Sequence, residues 1–165
     1  MPTQAATEYS RHETGTLICG NTSLVVKTSY LVNLDYPGDQ VLKQTVTLIN
    51  TKTGEQKDLK TDGRYVTKHM PEEREVLDAA ISVFACIKSK LGKYFFRLDY
   101  YCTSGEEQGI CERGKVTWDR FFHEDGTMLF PSPRHWKIKP AEHALYKRLG
   151  LLDKANVIAL KDVTE

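Results

Sequence analysis

The sequence predicts an α+β fold that is mainly an antiparallel β-sheet meander, with one or two short helices and disulfide bonds. Two stretches, Val41 to Asn50 and Tyr94 to Cys102, alternate side chains at the period of a β-strand. Turn signals of the Pro-Gly and Asp-Gly kinds separate the apolar runs. The chain also contains four cysteines, an even number, and none lies in a CxxC arrangement.

The first half of the chain is predicted to form a series of strands. A short strand is predicted over 16–19 and a longer one over 24–34, and a Pro-Gly turn separates them from the alternating strand at 41–50. A tight turn containing Gly54 then leads into a polar strand over 56–60. No internal repeat interrupts this pattern.

The stretch from 71 to 89 supports two interpretations. Pro71, the acidic residues after it and Gly92 beyond the end are typical of a helix with well-marked ends. From Ile81 to Ile87, however, residues alternate at period two and β-branched side chains are frequent. We expect a short helix or turn over 71–78 and a strand over 79–89, with one continuous helix as the alternative.

The stretch from 94 to 130 is predicted to continue the sheet. Aromatic side chains alternate along the strand at 94–102, and a polar, glycine-containing loop follows between Cys102 and Cys111. Another strand is expected over 115–122. Glu124-Asp125-Gly126 then forms a hairpin signal of the Asp-Gly kind.

The two ends of the chain complete the predicted organisation. Residues 1–14 are polar, lack the apolar core of a signal peptide and are expected to form a flexible lead-in. Residues 15–165 are expected to form a single β-rich domain. A C-terminal helix is predicted near 140–149, because proline opens it, basic residues occupy its last turn and glycine follows. Residues 156–160 are predicted to add an edge strand.

Composition excludes several classes of protein. Forty per cent hydrophobic and ten per cent aromatic residues are enough to build a core, which argues against disorder. The formal net charge is only +1, whereas a dedicated nucleic-acid-binding domain carries a large basic excess. No apolar run reaches the ~18 residues of a membrane-spanning helix. We therefore expect neither a nucleic-acid partner nor a membrane span.

The four cysteines allow three pairings. Cys102 and Cys111 bracket a polar loop between two predicted strands, an arrangement that suits a local disulfide. If that bond forms, the remaining pair is Cys19 with Cys86. The two bridges would then constrain the unfolded chain by roughly 2.5–3 and 4–4.5 kcal/mol, respectively. The alternative is that all four are reduced core thiols, as in a cytosolic protein.

No motif for catalysis or cofactor binding stands out. The sequence lacks Gly-x-Ser-x-Gly, a phosphate-binding loop and a dinucleotide fingerprint. Its five histidines show neither i,i+2 nor i,i+4 pairing and no metal-type spacing to cysteine. His123 adjoins Glu124 and Asp125, but on a predicted hairpin tip, where solvated side chains are the ordinary case. We expect no enzyme activity, no cofactor and no metal site.

Candidate contact residues for a protein partner lie around the second pair of cysteines. Tyrosine, tryptophan and arginine are the residue types that most often form binding hot spots, so Tyr101, Trp118 and Arg120 are candidates. Glu106 and Glu107 lie in the loop between the cysteines. A loop closed by a disulfide loses less entropy on binding, so these acids are the best candidate epitope.

A basic cluster near the C-terminus is a separate candidate for an anionic partner. Aromatic residues are interspersed with its cations, a pattern also found where nucleic acid binds. The cluster comprises Arg134, Lys137, Lys139, Lys147 and Arg148, with Trp136 and Tyr146 between them. The balanced net charge favours the simpler interpretation, a solvated helix and its linker.

Several segments within residues 76–130 together resemble small, β-rich periplasmic proteins of Gram-negative bacteria that have four cysteines. In those proteins a strand with a central cysteine leads to a Gly-Lys-Tyr hairpin, a cysteine loop and a tryptophan-containing strand that ends in Asp-Gly. The matching segments here are 76–79, 84–90, 92–95, the Cys102–Cys111 loop, Trp118–Phe122 and Asp125-Gly126. Some such proteins look like immunity proteins, which neutralise a toxin delivered by neighbouring bacteria.

The resemblance implies a binding protein that occludes the active site of a secreted toxin or effector. We expect a periplasmic or secreted location, with the sequence corresponding to the mature region. The alternative is a cytoplasmic regulatory or phage-type accessory protein with reduced thiols. That protein would bind an anionic partner through its basic C-terminal segment.

Overall fold

The computed structural model describes residues 8–35, 38–69, 72–103, 111, 117–131 and 138–163. Within these ranges the chain is mostly antiparallel β-structure with a small helical part, in agreement with the main feature of the predicted class. The strands are β1 (Glu8–Cys19), β2 (Thr22–Asn33), β3 (Gln40–Asn50), β4 (Gln56–Leu59), β5 (Tyr65–Lys68), β6 (Arg74–Leu77), β7 (Ala79–Lys88), β8 (Tyr94–Cys102), β9 (Thr117–His123) and β10 (Val157–Asp162). The helix α1 (Pro140–Arg148) and a 3₁₀ turn (Lys154–Asn156) precede β10.

The first sheet is a meander in which β1, β2, β3 and β4 pair in chain order. Strands β1 and β2 pair along their whole length, from Glu8 opposite Asn33 to Cys19 opposite Thr22. Gly20 forms their turn at a φ of 63°, in the left-handed region that glycine enters at little cost.

The start of β1 differs from the predicted lead-in over 1–14. Residues 8–14 pair with β2, whereas residues 1–7 lie outside the described part of the chain. The prediction followed the polarity of this segment, but an edge strand needs only backbone pairing and one solvated face. Arg11 forms ion pairs with Glu13 and Asp39, so charged contacts here replace apolar burial.

The second sheet has the order β10-β7-β8-β9, and all of its pairs are antiparallel. The predicted strand over 79–89 is confirmed as β7, and the predicted C-terminal edge strand is confirmed as β10. Gly92, at a φ of 82°, lies in the turn between β7 and β8.

The predicted helix or turn over 71–78 is instead β6, which pairs with β5 in a two-stranded sheet. Acidic residues after Pro71 imitate a helix start, but the side chains that follow them are buried as a strand buries them. Val76 and Leu77 are only 1% and 4% exposed. Tertiary burial therefore overrides the local helix signal.

The inner faces of the two four-stranded sheets pack against each other and form the main core. The first sheet contributes Leu17, Cys19, Leu24, Val26, Val46 and Leu48, and the second contributes Ala79, Ile81, Phe84, Cys86, Phe96, Leu98, Tyr100, Trp118 and Phe122. Two cross-strand aromatic pairs stack within this core, Phe96 with Phe122 and Tyr100 with Trp118. A disulfide between Cys19 and Cys86 joins the two sheets directly.

Helix α1 packs on the outer face of the second sheet, where Tyr146 contacts Phe121 with ring centroids 4.3 Å apart. The predicted helix near 140–149 is thereby confirmed. Its end is a Schellman motif, in which the N–H of Gly150 donates to Lys147 O and the N–H of Leu151 donates to Tyr146 O. Leu151 is buried beside Tyr146, which supplies the hydrophobic contact that usually accompanies this motif.

A buried glutamine connects the two sheets where β7 has an irregular register. The pairing of β7 with β8 shifts between Ile81 and Val83. Gln44 of the first sheet accepts a hydrogen bond from the N–H of Ile81 at 2.7 Å and donates to Ile81 O at 3.0 Å. It also donates to the hydroxyl of Thr28. A single side chain thus satisfies both backbone groups of Ile81.

Removing the inter-sheet disulfide is expected to destabilise the protein more than removing the local one. Cys19→Ala with Cys86→Ala opens a bridge with a sequence separation of 67, whereas the Cys102–Cys111 separation is 9. In the chain-entropy model the losses are roughly 4 and 3 kcal/mol of unfolding free energy. Urea unfolding of the two double variants measures the difference. An equal or larger loss in the Cys102→Ala/Cys111→Ala variant would contradict this ranking.

Candidate functional site

The residues at the two ends of the loop between Cys102 and Cys111 are held by a disulfide and by hydrogen bonds. The predicted disulfide between these residues is present, with their Cα atoms 5.6 Å apart. Thr103 donates its N–H to Asp78 O at 2.8 Å and its hydroxyl to Leu77 O at 2.5 Å. Cys111 is only 1% exposed. We call Leu77, Asp78, Cys102, Thr103 and Cys111 the loop base.

The acidic residues predicted as an epitope, Glu106 and Glu107, lie outside the described residues. The sequence places both between the two cysteines of the loop base. Whatever path residues 104–110 take, they must leave and return across the 5.6 Å between the two Cα atoms. This closure reduces the number of conformations that the free loop can adopt.

Tyr101 lies next to the loop base and is half-buried. It packs against the cluster formed by Tyr30, Val41, Leu77 and Ala80. Burial raises the pKa of its hydroxyl to about 12, so the side chain is neutral at physiological pH. Its remaining exposed surface can still contact a partner.

Trp118 and Arg120, also predicted as partner contacts, lie in the interior at 5% and 1% exposure. A side chain this buried presents almost no area to a partner in this conformation. Both donate to the same carboxylate oxygen of Asp62, the indole Nε1 at 2.7 Å and the guanidinium Nε at 2.7 Å. We therefore assign them to the support of the fold.

Asp62 ties the segment between β4 and β5 to the second sheet. Its N–H donates to the hydroxyl of Tyr100 at 3.2 Å, and burial raises the pKa of that hydroxyl. Gly63 approaches the second sheet so closely that an added Cβ would lie 2.4 Å from Ala79 O. The N–H of Arg64 then donates to the carboxylate of Asp78 in the loop base at 2.9 Å, and Arg64 O accepts from the N–H of Asp78 at 2.9 Å.

This segment brings an aromatic residue to the loop base that the sequence analysis did not single out. Tyr65 lies opposite Leu77 in the β5–β6 ladder, and 57% of it is exposed. Arg64 beside it is also exposed. Tyrosine and arginine are the types most enriched in binding hot spots. In the sequence, Tyr65 is only an aromatic residue that follows an Asp-Gly turn. That pattern does not show which residue of another strand lies opposite it.

Three carboxylates and one valine occupy a cross-strand row on the outer face of the second sheet. Asp162, Val83, Asp99 and Asp119 are successive cross-strand partners on β10, β7, β8 and β9. Arg97 forms a two-pronged ion pair with Asp99, at 2.7 and 3.1 Å. Burial raises the pKa of the Asp119 carboxyl to about 7, and the Asp99 charge opposite adds to the rise.

The predicted basic C-terminal cluster is partly described. Lys139, Lys147 and Arg148 are exposed, whereas Tyr146 is buried and donates its hydroxyl to Glu142 at 2.6 Å. The other members of the cluster, Arg134, Trp136 and Lys137, lie outside the described residues.

The described part of the chain lacks two kinds of feature. There, no group of three His, Cys, Asp or Glu side chains is placed to hold a metal ion. No helix within the same ranges has the length and apolar character that crossing a membrane requires.

Asp62→Ala is expected to lower the unfolding free energy by about 3 kcal/mol, because a buried guanidinium and indole N–H lose their shared acceptor. Asp58→Ala is the matched control, since Asp58 is exposed and its carboxylate accepts a hydrogen bond from the Thr47 hydroxyl at the surface. Urea unfolding of both variants provides the comparison. Equal losses would show that Asp62 does not stabilise Arg120 and Trp118.

Asp119→Asn is expected to raise stability above pH 7 and to change little near pH 4. The carboxyl of Asp119 has a higher pKa in the folded than in the unfolded protein, so its favourable contribution is complete below about 4 and is lost as pH rises through about 7. The gain at pH 8 is about 1–3 kcal/mol. Unfolding at pH 4 and pH 8, with Asp35→Asn as an exposed control, measures it. A gain of the same size at both pH values would contradict the assignment.

Comparisons with known proteins give no match: no family model, no curated protein and no solved structure is similar to this chain.

Proposed function

We propose that the protein is a binding protein of the immunity or inhibitor kind, which neutralises a secreted toxin by covering its active site. The observation that carries the proposal is the loop base, where a disulfide, a buried cysteine and two hydrogen bonds from Thr103 fix both ends of an acidic loop. Preorganised loops are efficient inhibitors because little ordering entropy is lost on binding.

The contact surface consists of the loop together with exposed side chains around the loop base. Glu106 and Glu107 give the loop a negative charge, which favours a partner with a basic active-site cleft. Tyr65, Arg64 and the exposed part of Tyr101 provide aromatic and bidentate contacts beside it. Charge complementarity would set the rate of association, and the aromatic contacts would set the lifetime of the complex.

A periplasmic or secreted location is part of the same proposal. Two disulfides fit an oxidising compartment, because reducing systems keep cytosolic thiols free. An inhibitor placed there would meet a toxin that acts in the periplasm or passes through it.

The direct test is capture followed by neutralisation. The immobilised protein is exposed to proteins secreted by Gram-negative bacteria, and any captured protein is purified and assayed for toxicity to a sensitive strain. We expect one captured protein to be toxic and to lose its toxicity when an equal amount of this protein is exported to the periplasm. If the captured proteins are harmless, or if toxicity persists, the immunity function is excluded.

Reversing the charge of the loop is expected to weaken that complex. Glu106→Lys with Glu107→Lys should lower affinity by about tenfold or more, mainly through slower association. Glu55→Lys with Asp58→Lys makes the same charge change at exposed positions of β4 and the turn before it. Kinetic binding measurements on both variants test the location. An equal effect of both would remove the loop from the interface.

A further inference from the structure

A cleft lies between the β7–β8 turn and the end of helix α1. The cleft has a volume of about 230 Å³. Four cations line it, Lys90 and Lys93 from the turn and Lys147 and Arg148 from the last turn of the helix. We call this site the basic cleft. Lys90 and Lys147 are far apart in sequence, so only the folded chain brings the two pairs together.

The four cations of the basic cleft form no ion pair with a described residue, although Lys93 also lines a neighbouring cavity together with Glu124 and Asp125. None of them appears in an ion pair within the described chain, and all four are exposed. The described residues that line the cleft include no aspartate or glutamate. Because the four positive charges lie close together and repel one another, binding of an anion lowers the electrostatic energy of the cleft.

One wall of the basic cleft is apolar. Leu91, which is 89% exposed, and the half-buried Leu149 supply most of its accessible apolar surface, and Phe95, only 2% exposed, is also among the lining residues. The His123 ring lies 5.5 Å from the Phe95 ring, centroid to centroid, and also lines the cleft. A ligand with only a charged group would leave this wall uncovered.

The C-terminus of helix α1 repels an anion less strongly than a helix C-terminus with unpaired carbonyl groups would. Unpaired carbonyl groups normally give a helix C-terminus a partial negative charge. Here the carbonyls of Tyr146 and Lys147 accept from Leu151 and Gly150, and Asn156 donates to Gly150 O at 2.7 Å. The cations of the last turn therefore dominate the potential of the basic cleft.

We infer that the basic cleft binds a phosphate monoester attached to a small apolar group. A phosphate monoester carries close to two negative charges at neutral pH, which suits four cations better than a single carboxylate does. The guanidinium of Arg148 can bind phosphate oxygens in pairs, while the lysines act as point charges. The volume of the cleft limits the apolar group to about the size of one ring.

This site is separate from the proposed inhibitor surface. The basic cleft is formed by the β7–β8 turn and α1, whereas the loop base is formed by β6 and the end of β8. Binding in one does not require the other, so failure of either proposal leaves the other standing.

Phenyl phosphate is the probe that tests the inference, with inorganic phosphate and benzyl alcohol as partial probes. At a constant ionic strength of about 0.15 M, we expect saturable binding of phenyl phosphate by calorimetry. Inorganic phosphate should bind about tenfold more weakly because it cannot cover the apolar wall, and benzyl alcohol should not bind. Backbone amide shifts in NMR spectra should change at Lys93, Phe95 and Gly150. Equal affinity for the two phosphates, or shifts elsewhere only, would overturn the inference.

A charge-reversal pair locates the binding. Lys90→Glu with Arg148→Glu should weaken phenyl phosphate binding by at least about tenfold. Lys52→Glu with Lys60→Glu makes the same change in net charge at exposed positions outside the cleft and should leave affinity within about twofold. All four side chains are exposed, and circular dichroism confirms that the variants fold. An equal loss in both variants would mean that binding reflects net charge alone and would overturn the inference.

The phosphate monoester has two chemical sources, a soluble molecule or a lipid headgroup. Flotation with vesicles of phosphatidylcholine, with or without phosphatidic acid, distinguishes them. If the protein binds both phenyl phosphate and vesicles that contain phosphatidic acid, and if both interactions depend on Lys90 and Arg148, the cleft is assigned to a lipid headgroup. Binding of phenyl phosphate alone assigns it to a soluble ester. Binding of neither overturns the inference.

Discussion

The disulfide between Cys19 and Cys86 is the constraint on which the two-sheet arrangement depends. Both cysteines are fully buried, and they join the end of β1 to the middle of the second sheet. On the second sheet the stacked pair of Phe96 and Phe122 packs in the same core as the bridge. Because the bond fixes the distance between the sheets at this point, the side chains around it need only fill a space whose depth is already set. Each candidate site includes a residue of β8, Cys102 in the loop base and Phe95 in the basic cleft, and β8 belongs to the sheet that this bridge joins to the first one.

Much of the fold follows from period-two patterns and turn chemistry. Strand β3, the strand β8, helix α1 and the pairing of the cysteines were all predicted, because each has a local signal that tertiary contacts reinforce. Strand β6 was missed since Pro71 and the acids after it favour a helix locally, and only the burial of Val76 and Leu77 decides otherwise. The first residues of β1 were missed for the opposite reason. Their polarity suggested a lead-in, whereas backbone pairing with β2 needs no apolar side chain.

The candidate sites were less predictable because they depend on which face of a strand turns inward. Alternation places Trp118 and Arg120 on one face of β9, but it does not say that this face packs against the first sheet. The structure buries both beneath Asp62, a residue on a distant turn. Tyr65 lies beside the loop base because its register places it opposite Leu77. The basic cleft forms because the end of α1 lies near the turn between β7 and β8. None of these juxtapositions has a signature in a single stretch of sequence.

Gln44 has a consequence for how the molecule assembles. Its side-chain amide offers Ile81 the same donor and acceptor that a neighbouring strand's peptide group would offer, at the point where the β7–β8 ladder is interrupted. The second sheet therefore cannot complete its own backbone pairing in isolation, since the missing partner belongs to the first sheet. A slip of β3 by one residue would turn Gln44 to the opposite face and leave Ile81 with two unpaired backbone groups. The backbone of Ile81 in the second sheet is therefore fully hydrogen-bonded only when β3 of the first sheet has the correct register.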